Sequence, residues 1–174
     1  MSEATGTMLE SRTVHHGRVF TTVTDRVRLP NGRETDLDIV RHRSSVILAP
    51  MPDSDHIILV RQYRYAINRW VWELPAGNVE DGEHPDDAAR RECAEETGQV
   101  PSTVERIGAF FPTPGYCDEE MLFYRLRGLT RAVGAQLDAD EVLEPHVVSL
   151  SDAHRMVSDG TVVDMKTALG LTLI

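Results

Sequence analysis

The sequence predicts a layered domain of mixed α/β class, and two observations support this prediction. Strand-like runs rich in β-branched residues fill most of the first half of the chain, and a clear helical segment, "HPDDAARRECAEETG", follows them. More strand-like runs come after this helix, and the chain ends in two further helical segments. Strands that precede and follow an inserted helix are typical of a domain in which helices pack on a sheet.

Length, composition and charge narrow the class of protein. A chain of 174 residues, 41% of them hydrophobic, can form one packed domain. The 28 acidic residues outnumber the 18 basic ones, which argues against a nucleic-acid partner. Two cysteines, Cys93 and Cys117, are too few for a disulfide scaffold and favour a reducing compartment. Because no signal peptide or membrane-spanning run is evident, we expect a cytoplasmic protein without a membrane partner.

The N-terminal segment predicts a small antiparallel sheet. "TVHHGRVFTTVTDRVRL" alternates roughly between apolar and polar residues, and the tight-turn signal Pro30–Gly32 separates it from the strand-like run Thr35–Val40. A sheet of two or three strands is marginal by itself. Residues 1–45 are therefore expected to pack either on their own domain or on a second subunit, with residues 46–174 forming the main domain.

The remaining elements follow from local signals. Ser44–Pro50 and His56–Arg64 are predicted strands joined by the turn "MPDSD", and later strands are indicated by "VERIGAFF", "MLFYRLRGL" and "PHVVSL". The inserted helix should span Pro85–Thr97, because proline suits the first helical position and Gly98 suits the C-terminal cap. A second helix is predicted to begin at Ser151 as its N-cap, and a third is indicated by "VDMKTALGLTLI".

The inserted helix carries three carboxylates on one face. At 100° per residue, Glu92, Glu95 and Glu96 fall within an arc of about 100°. Like charges at these spacings destabilise an isolated helix by roughly 0.2–0.5 kcal/mol per pair. The face is therefore either solvated and balanced by nearby arginines or bound to a cation. A glycine-containing loop lies just before the helix and follows the apolar run "WVWELPAG", and these two features favour the cation. Hard carboxylate oxygens suit Mg²⁺ or Mn²⁺, which also bind the phosphate oxygens of a substrate.

The spacing around this helix resembles the signature of a known family. Gly77, Glu83 and the run Arg91–Gly98, "RECAEETG", match the Nudix box, G-x5-E-x7-R-E-U-x-E-E-x-G-U, at all seven fixed positions. The departures are small: the first apolar position of the run is Cys93, a small hydrophobe, and the last is Gln99, where the family usually has an aliphatic residue. The resemblance implies the Nudix fold, a mixed β-sheet sandwiched between helices, here with an N-terminal antiparallel sheet extension. It also implies hydrolysis of a nucleoside diphosphate linked to another group.

The resemblance also implies roles for the residues of the box. The implied ligands of Mg²⁺, or of Mn²⁺, are Glu92, Glu96, the backbone carbonyl of Ala76 and, as an additional or water-mediated ligand, Glu95. Arg91 and Glu83 resemble the pair that braces the loop and orients the ligating glutamates, and a purely structural ion pair is the alternative. Glu95, Glu96 and Arg91 are accordingly expected in the catalytic machinery.

The flanking segments resemble the ADP-ribose pyrophosphatase subfamily. "RQYRYAINRWVWELPAG" and "FFPTPGYCDEE" are similar to its corresponding segments, including Pro114, 15 residues beyond Gln99. "GRVFTTVTDRVRLPNGRE" resembles the small sheet with which those enzymes form a dimer, often with exchanged strands. The resemblance implies a homodimer that hydrolyses ADP-ribose, a small-molecule nucleoside diphosphate, to AMP and ribose 5-phosphate.

Substrate and base residues are carried over in the same way. Arg64 resembles the arginine that contacts the substrate phosphates, and Glu73 a carboxylate near the ribose and the metal; a surface arginine at a sheet edge is the alternative for Arg64. Glu141 resembles the loop glutamate that activates the attacking water. Asp140 and Glu144 are its rivals, and a merely solvated acidic loop is a further alternative.

Other functions stay open at the level of the sequence. The substrate could be a nucleoside diphosphate sugar such as GDP-mannose, a dinucleoside polyphosphate or an oxidised nucleotide. A non-catalytic ADP-ribose-binding sensor is a further alternative, against which the intact box argues. Candidates for contact with the adenine are the aromatic residues Tyr65, Trp70 and Trp72, which could equally belong to the core.

Overall fold

The structure, a computed structural model, describes residues 4–132 and 142–174. It confirms the predicted mixed class, with ten strands and three α-helices in the described residues. The chain divides into two compact units, an N-terminal unit of Met1–Ser44 with Phe111–Glu120 and a larger unit of Ser45–Phe110 with Met121–Ile174.

The N-terminal unit contains an antiparallel sheet in the order β1-β2-β3. Its strands are β1, Thr7–His16; β2, Phe20–Arg28; and β3, Glu34–His42. The turn predicted at Pro30–Gly32 lies between β2 and β3, and the Gly32 amide donates to the Leu29 carbonyl at 2.8 Å. The later segment Phe111–Glu120 joins this unit because the Val40 amide donates to the Tyr116 carbonyl at 2.7 Å.

The larger unit carries the remaining elements. They are β4, Ser45–Pro50; β5, His56–Arg64; a short 3₁₀ turn, Tyr65–Ile67; β6, Arg69–Glu73; β7, Ala76–Asn78; α1, Pro85–Thr97; β8, Gln99–Phe110; β9, Met121–Arg131; β10, Leu143–Ser149; α2, Leu150–Ser158; and α3, Met165–Thr172. One antiparallel sheet has the order β10-β5-β6, and a second has the order β7-β4-β9-β8. The second sheet is mixed, since β4 and β9 run parallel while its other pairs are antiparallel.

The core of the larger unit lies on both sides of β4. All six residues of this strand are buried. Val46 and Leu48 belong to a cluster with Cys93 of α1, whereas Ile47 and Ala49 belong to a second cluster that includes α2 and α3 residues. Alternate residues of a strand point to opposite faces, so helices cover both faces of β4. This arrangement confirms a sheet packed between helices.

Capping residues set the boundaries of the three helices. α1 spans the predicted residues, and Gly98 ends it in a left-handed conformation at φ 67°. The prediction that Ser151 caps α2 is wrong. The cap is Ser149, whose side chain accepts from the Asp152 amide at 3.1 Å. An amide in the first turn has no carbonyl partner within the helix, and a side chain three residues earlier can supply one. Asp164 caps α3. Among the described residues, no helix is long and apolar enough to cross a membrane.

Candidate active site

Helix α1 is anchored in the core by buried residues that lie one turn before its glutamates, on a face that adjoins theirs. Ala88, Ala89 and Cys93 are completely buried against the β4 and β9 residues of their cluster. Burial raises the pKa of the Cys93 thiol to about 11, so this residue acts in packing and stays protonated. With those residues turned inward, Glu92 and Glu95 stay partly accessible and Glu96 is only 4% exposed.

One guanidinium connects the loop before α1 to the carboxylates on it. Arg91 donates through Nε and Nη2 to the two carboxylate oxygens of Glu83, each at 2.9 Å, and through Nη2 to the Asn78 carbonyl at 2.9 Å. Its Nη1 donates to Glu92 at 2.6 Å and to Glu95 at 3.1 Å. The hydrogen bond from Arg91 lowers the pKa of Glu83. In turn, the hydrogen bonds to Glu83 and Glu92 raise the pKa of Arg91. The expected pairing of Arg91 with Glu83 is therefore present, and its part in catalysis stays a prediction.

Strand β7 forms the wall against which two of the glutamates lie. A Cβ added at Gly77 would come within 1.9 Å of the Glu92 Cδ and within 2.0 and 2.2 Å of its carboxylate oxygens. Only glycine leaves room for this carboxylate, which accounts for the first residue of the box. The Ala76 amide donates to the Glu96 Oε2 at 3.1 Å. Glu92 and Glu96 thus meet the same three-residue strand, whose first carbonyl is the ligand that the resemblance implies.

The chemistry of these groups fits a hard divalent cation. The face offers carboxylate oxygens, the donors preferred by Mg²⁺ and Mn²⁺. Among residues 4–132 and 142–174, no group of three acidic, histidine or cysteine side chains is already arranged to hold a metal ion. Arg91 instead bonds Glu92 and Glu95, and the Ala76 amide bonds Glu96. A metal would have to compete with these donors, and the individual ligand assignments stay predictions.

A second charged group lies at the ends of β5 and β6. Arg64 donates through Nε and Nη2 to the two carboxylate oxygens of Glu73, each at 2.7 Å. The Glu73 side chain is 3% exposed and that of Arg64 is 42% exposed. Burial by itself would raise the pKa of Glu73, but the hydrogen bond from Arg64 and the charges of Lys166 and Arg64 outweigh it and lower the pKa. The structure therefore brings together the two residues expected to bind substrate.

This pair is electrostatically connected to the carboxylate face. The pKa of Arg64 is raised first by its hydrogen bond to Glu73, and the charges of Glu96 and Asp164 add to the effect. Lys166 of α3 donates to the same Glu73 oxygen as Arg64 Nη2. Sequence reasoning missed Lys166, although a signal existed: it is the single lysine in a chain whose lysines and arginines number 18.

Comparison with known proteins identifies the family. A family model described as the NUDIX domain matches residues 41–164, which is more than half of the chain. The chain belongs to the Nudix family. This assignment confirms the resemblance drawn from the box, and the chain is a pyrophosphohydrolase of that family.

Individual relatives align with nearly the full length of this chain. An ADP-ribose pyrophosphatase of Bacillus subtilis (strain 168) is 35% identical over 159 residues, covering 91% of this chain and 86% of the relative. A methanol dehydrogenase activator of Bacillus methanolicus is 33% identical over 164 residues, covering 94% and 89%. The crystal structure of an ADP compounds hydrolase matches with a TM-score of 0.85 over 99% of this chain and 94% of that one. At 23% identity, this last likeness supports the Nudix fold alone.

Of the three residues proposed as the base in this Nudix chain, Glu144 alone lies within the described residues. Glu141 and Asp140 lie outside the described residues. Glu144 lies on β10, exposed, opposite Arg61 of β5, and its Oε2 is 3.7 Å from His146 Nε2. The assignment of Glu141 as the base therefore stays a prediction.

Two of the three aromatic candidates of the Nudix domain, Trp70 and Trp72, share one face of β6, and the third, Tyr65, lies outside this strand. Trp70 and Trp72 alternate with Val71 and Glu73 along the strand, so they lie on the face opposite the Glu73 carboxylate. Trp72 packs against the cluster that contains α2 and α3 residues. Tyr65, in the turn after β5, is 85% exposed. The two tryptophans thus serve the other side of the sheet from Arg64 and Glu73.

Proposed function

We propose that this Nudix enzyme hydrolyses the diphosphate bond of ADP-ribose, releasing AMP and ribose 5-phosphate, with Mg²⁺ as its cofactor. The observation that carries the proposal is the Arg64–Glu73 pair, in which Glu73 lies three residues before Ala76, the residue whose amide bonds Glu96. A diphosphate substrate requires a cation for its phosphate oxygens next to carboxylates that can hold a metal. This chain supplies both from neighbouring elements of one unit.

The relatives support the choice of substrate. The Bacillus subtilis protein named ADP-ribose pyrophosphatase aligns with 91% of this chain at 35% identity. That alignment extends well beyond the box, which by itself reports the chemistry of diphosphate hydrolysis and leaves the substrate open. The flanking segments are therefore consistent with ADP-ribose as substrate.

The metal would be held by the box. Glu92, Glu95, Glu96 and the Ala76 carbonyl are the groups we assign to it. Bound Mg²⁺ would neutralise phosphate oxygens and lower the pKa of the attacking water. Arg91 would keep Glu92 and Glu95 turned toward the site through its bonds to both and to Glu83.

The protein groups would divide the remaining work. Arg64 has its Nε and Nη2 committed to Glu73, so Nη1 is the atom that would meet a phosphate oxygen. A guanidinium whose orientation is fixed in this way loses little conformational entropy when it binds an anion. Glu141 would accept the proton from the water as it attacks phosphorus.

The proposal is tested by a substrate panel with purified protein. We would compare kcat/KM for ADP-ribose, GDP-mannose, a diadenosine polyphosphate and an oxidised nucleotide, each with Mg²⁺, with Mn²⁺ and with a chelator. We expect the highest kcat/KM for ADP-ribose with Mg²⁺, AMP and ribose 5-phosphate as products, and loss of turnover with the chelator.

Two results would contradict the proposal. A higher kcat/KM for another compound would identify a different nucleoside diphosphate substrate. Binding of ADP-ribose without hydrolysis in Mg²⁺ would indicate a sensor. In the same assay, Glu141→Ala should lower kcat more than Asp140→Ala or Glu144→Ala, and the reverse order would refute the base assignment.

A further inference from the structure

The single lysine of the chain lies in a partly buried network of charged side chains that the box does not include. Lys166 is in the first turn of α3, just beyond the residues matched by the family model. Its side chain is 11% exposed, its Nζ donates to Glu73 Oε2, and it lies 3.1 Å from Asp164 Oδ2. A charged group with so little access to water requires a specific reason for its position.

The charges around Glu73 explain why this position holds a lysine. Arg64 already donates to both Glu73 oxygens in a side-on pair. A second planar guanidinium would compete for the same two oxygens, whereas a compact ammonium can share one of them. Asp164 supplies a second negative charge, so two cations face two carboxylates. This balance lowers the cost of keeping Glu73 charged in a buried place.

The first turn of α3 also holds the backbone next to Glu73. The Leu74 amide donates to Thr167 Oγ1 at 2.7 Å, and both residues are buried. Asp164 in turn accepts from the Thr167 amide and hydroxyl at 2.9 and 2.6 Å. The end of β6 is therefore fixed to two side chains of α3: Lys166 bonds the Glu73 carboxylate, and Thr167 accepts from the Leu74 amide. Two residues further on, the Ala76 amide bonds Glu96.

We propose that Lys166 is a positioning residue for substrate binding, which fixes Glu73 and, through Glu73, the guanidinium that receives the substrate diphosphate. This inference rests on the proposed function, because it assigns Arg64 to the phosphates. Arg64 is 42% exposed, so its orientation depends on the carboxylate that holds it. Removing Lys166 leaves one Glu73 oxygen with fewer donors and lets the Arg64–Glu73 pair turn. The effect falls on KM, because Lys166 acts on a binding group.

The kinetic test compares Lys166→Gln with Met165→Gln, a matched control at a neighbouring position that is 59% exposed. We expect Lys166→Gln to raise KM for ADP-ribose about tenfold, as loss of one charge-assisted bond would, with kcat nearly unchanged. Met165→Gln should match the wild type. Lys166→Arg, which keeps the cation, should recover part of the loss. An unchanged KM in Lys166→Gln, or a fall in kcat at constant KM, would overturn the proposal.

A double-mutant cycle tests whether Lys166 acts through Glu73. In a Glu73→Gln background, the further change Lys166→Gln should leave KM where it is, because the partner carboxylate is already lost. Additive increases in KM would show that Lys166 acts by another route and would overturn the proposal.

A measurement without substrate separates this inference from the proposed function. Because Lys166 is the single lysine, reductive methylation followed by peptide mass mapping reports on one side chain. We expect slow methylation of Lys166 in the folded wild type and faster methylation in Glu73→Gln. Equal rates in the two proteins would refute the contact with Glu73. If the panel selects another diphosphate, the KM comparison is made with that compound, and the methylation result stands independently.

Discussion

At the scale of single residues, the site depends on which group occupies each carboxylate oxygen. Glu96 is nearly buried, and one of its oxygens accepts from the Ala76 amide at 3.1 Å. Glu92 lies against Gly77, where no other residue would leave it room. These two glutamates are held by the backbone of β7 and by Arg91 before any ligand arrives. A change of charge at either position can therefore be separated from a change of structure.

Glu96→Gln makes this separation directly. The amide oxygen of glutamine can still accept from Ala76, so we expect the loop and the melting temperature to change little. Loss of the negative charge should reduce kcat for ADP-ribose in Mg²⁺ by more than about 100-fold, since disturbance of even outer-shell groups costs metal sites 10–100-fold. Asp87→Asn, which removes an exposed charge from the same helix, is the control. Near wild-type turnover of Glu96→Gln would refute its assignment as a metal ligand.

At the scale of elements, the loop before α1 and the helix itself form one unit through Arg91 and Glu83. The hydrogen bond from Arg91 lowers the folded-state pKa of Glu83 below its ordinary value. Its contribution to stability is therefore fully present above the unfolded-state pKa of about 4.3. That contribution is lost as the pH falls through the lowered folded-state pKa, because the unfolded chain takes up the proton first.

The lowered pKa of Glu83 predicts how the stability of the Glu83→Gln variant, relative to the wild type, changes with pH. The variant should be less stable than the wild type at neutral pH, and the difference in free energy of unfolding should shrink as the pH falls below about 4. Urea unfolding at a series of pH values measures it. Glu105→Gln, which breaks an exposed pair with Arg125, should cost less at neutral pH. A difference for Glu83→Gln that stays constant down to acid pH would show that the carboxylate charge does not stabilise the loop.

The elements also show which parts of the molecule could be predicted from sequence. The limits of α1 depend on Pro85 and Gly98, which act within one turn, so local signals were sufficient. The box glutamates were found because their spacing is itself local. Lys166 bonds Glu73, 93 positions away, and no local pattern indicates that contact. The place of Phe111–Glu120 in the N-terminal unit could not be predicted for the same reason, because it depends on backbone bonds to the distant Val40.

At the scale of the whole molecule, the strand β1 is the feature that the Nudix box does not explain. All ten of its residues are exposed, and within the described chain it pairs on one side only, with β2. Met8 is 60% and Val14 is 54% exposed. An exposed edge strand with apolar side chains is a template for pairing with another chain. A second copy of this chain is the partner that the homodimer prediction requires.

We therefore expect the wild type to sediment as a dimer and the double variant Met8→Glu/Val14→Glu as a monomer, because each new carboxylate would lose hydration in the interface. The net charge is already -10, so added acidic residues could weaken association anywhere on the surface. Val100→Glu/Val147→Glu adds the same charge at two exposed positions of the larger unit, 39% and 62% accessible, and should remain dimeric. A monomeric wild type would refute the dimer. Dissociation of both double variants alike would show that charge, and not β1, controls assembly.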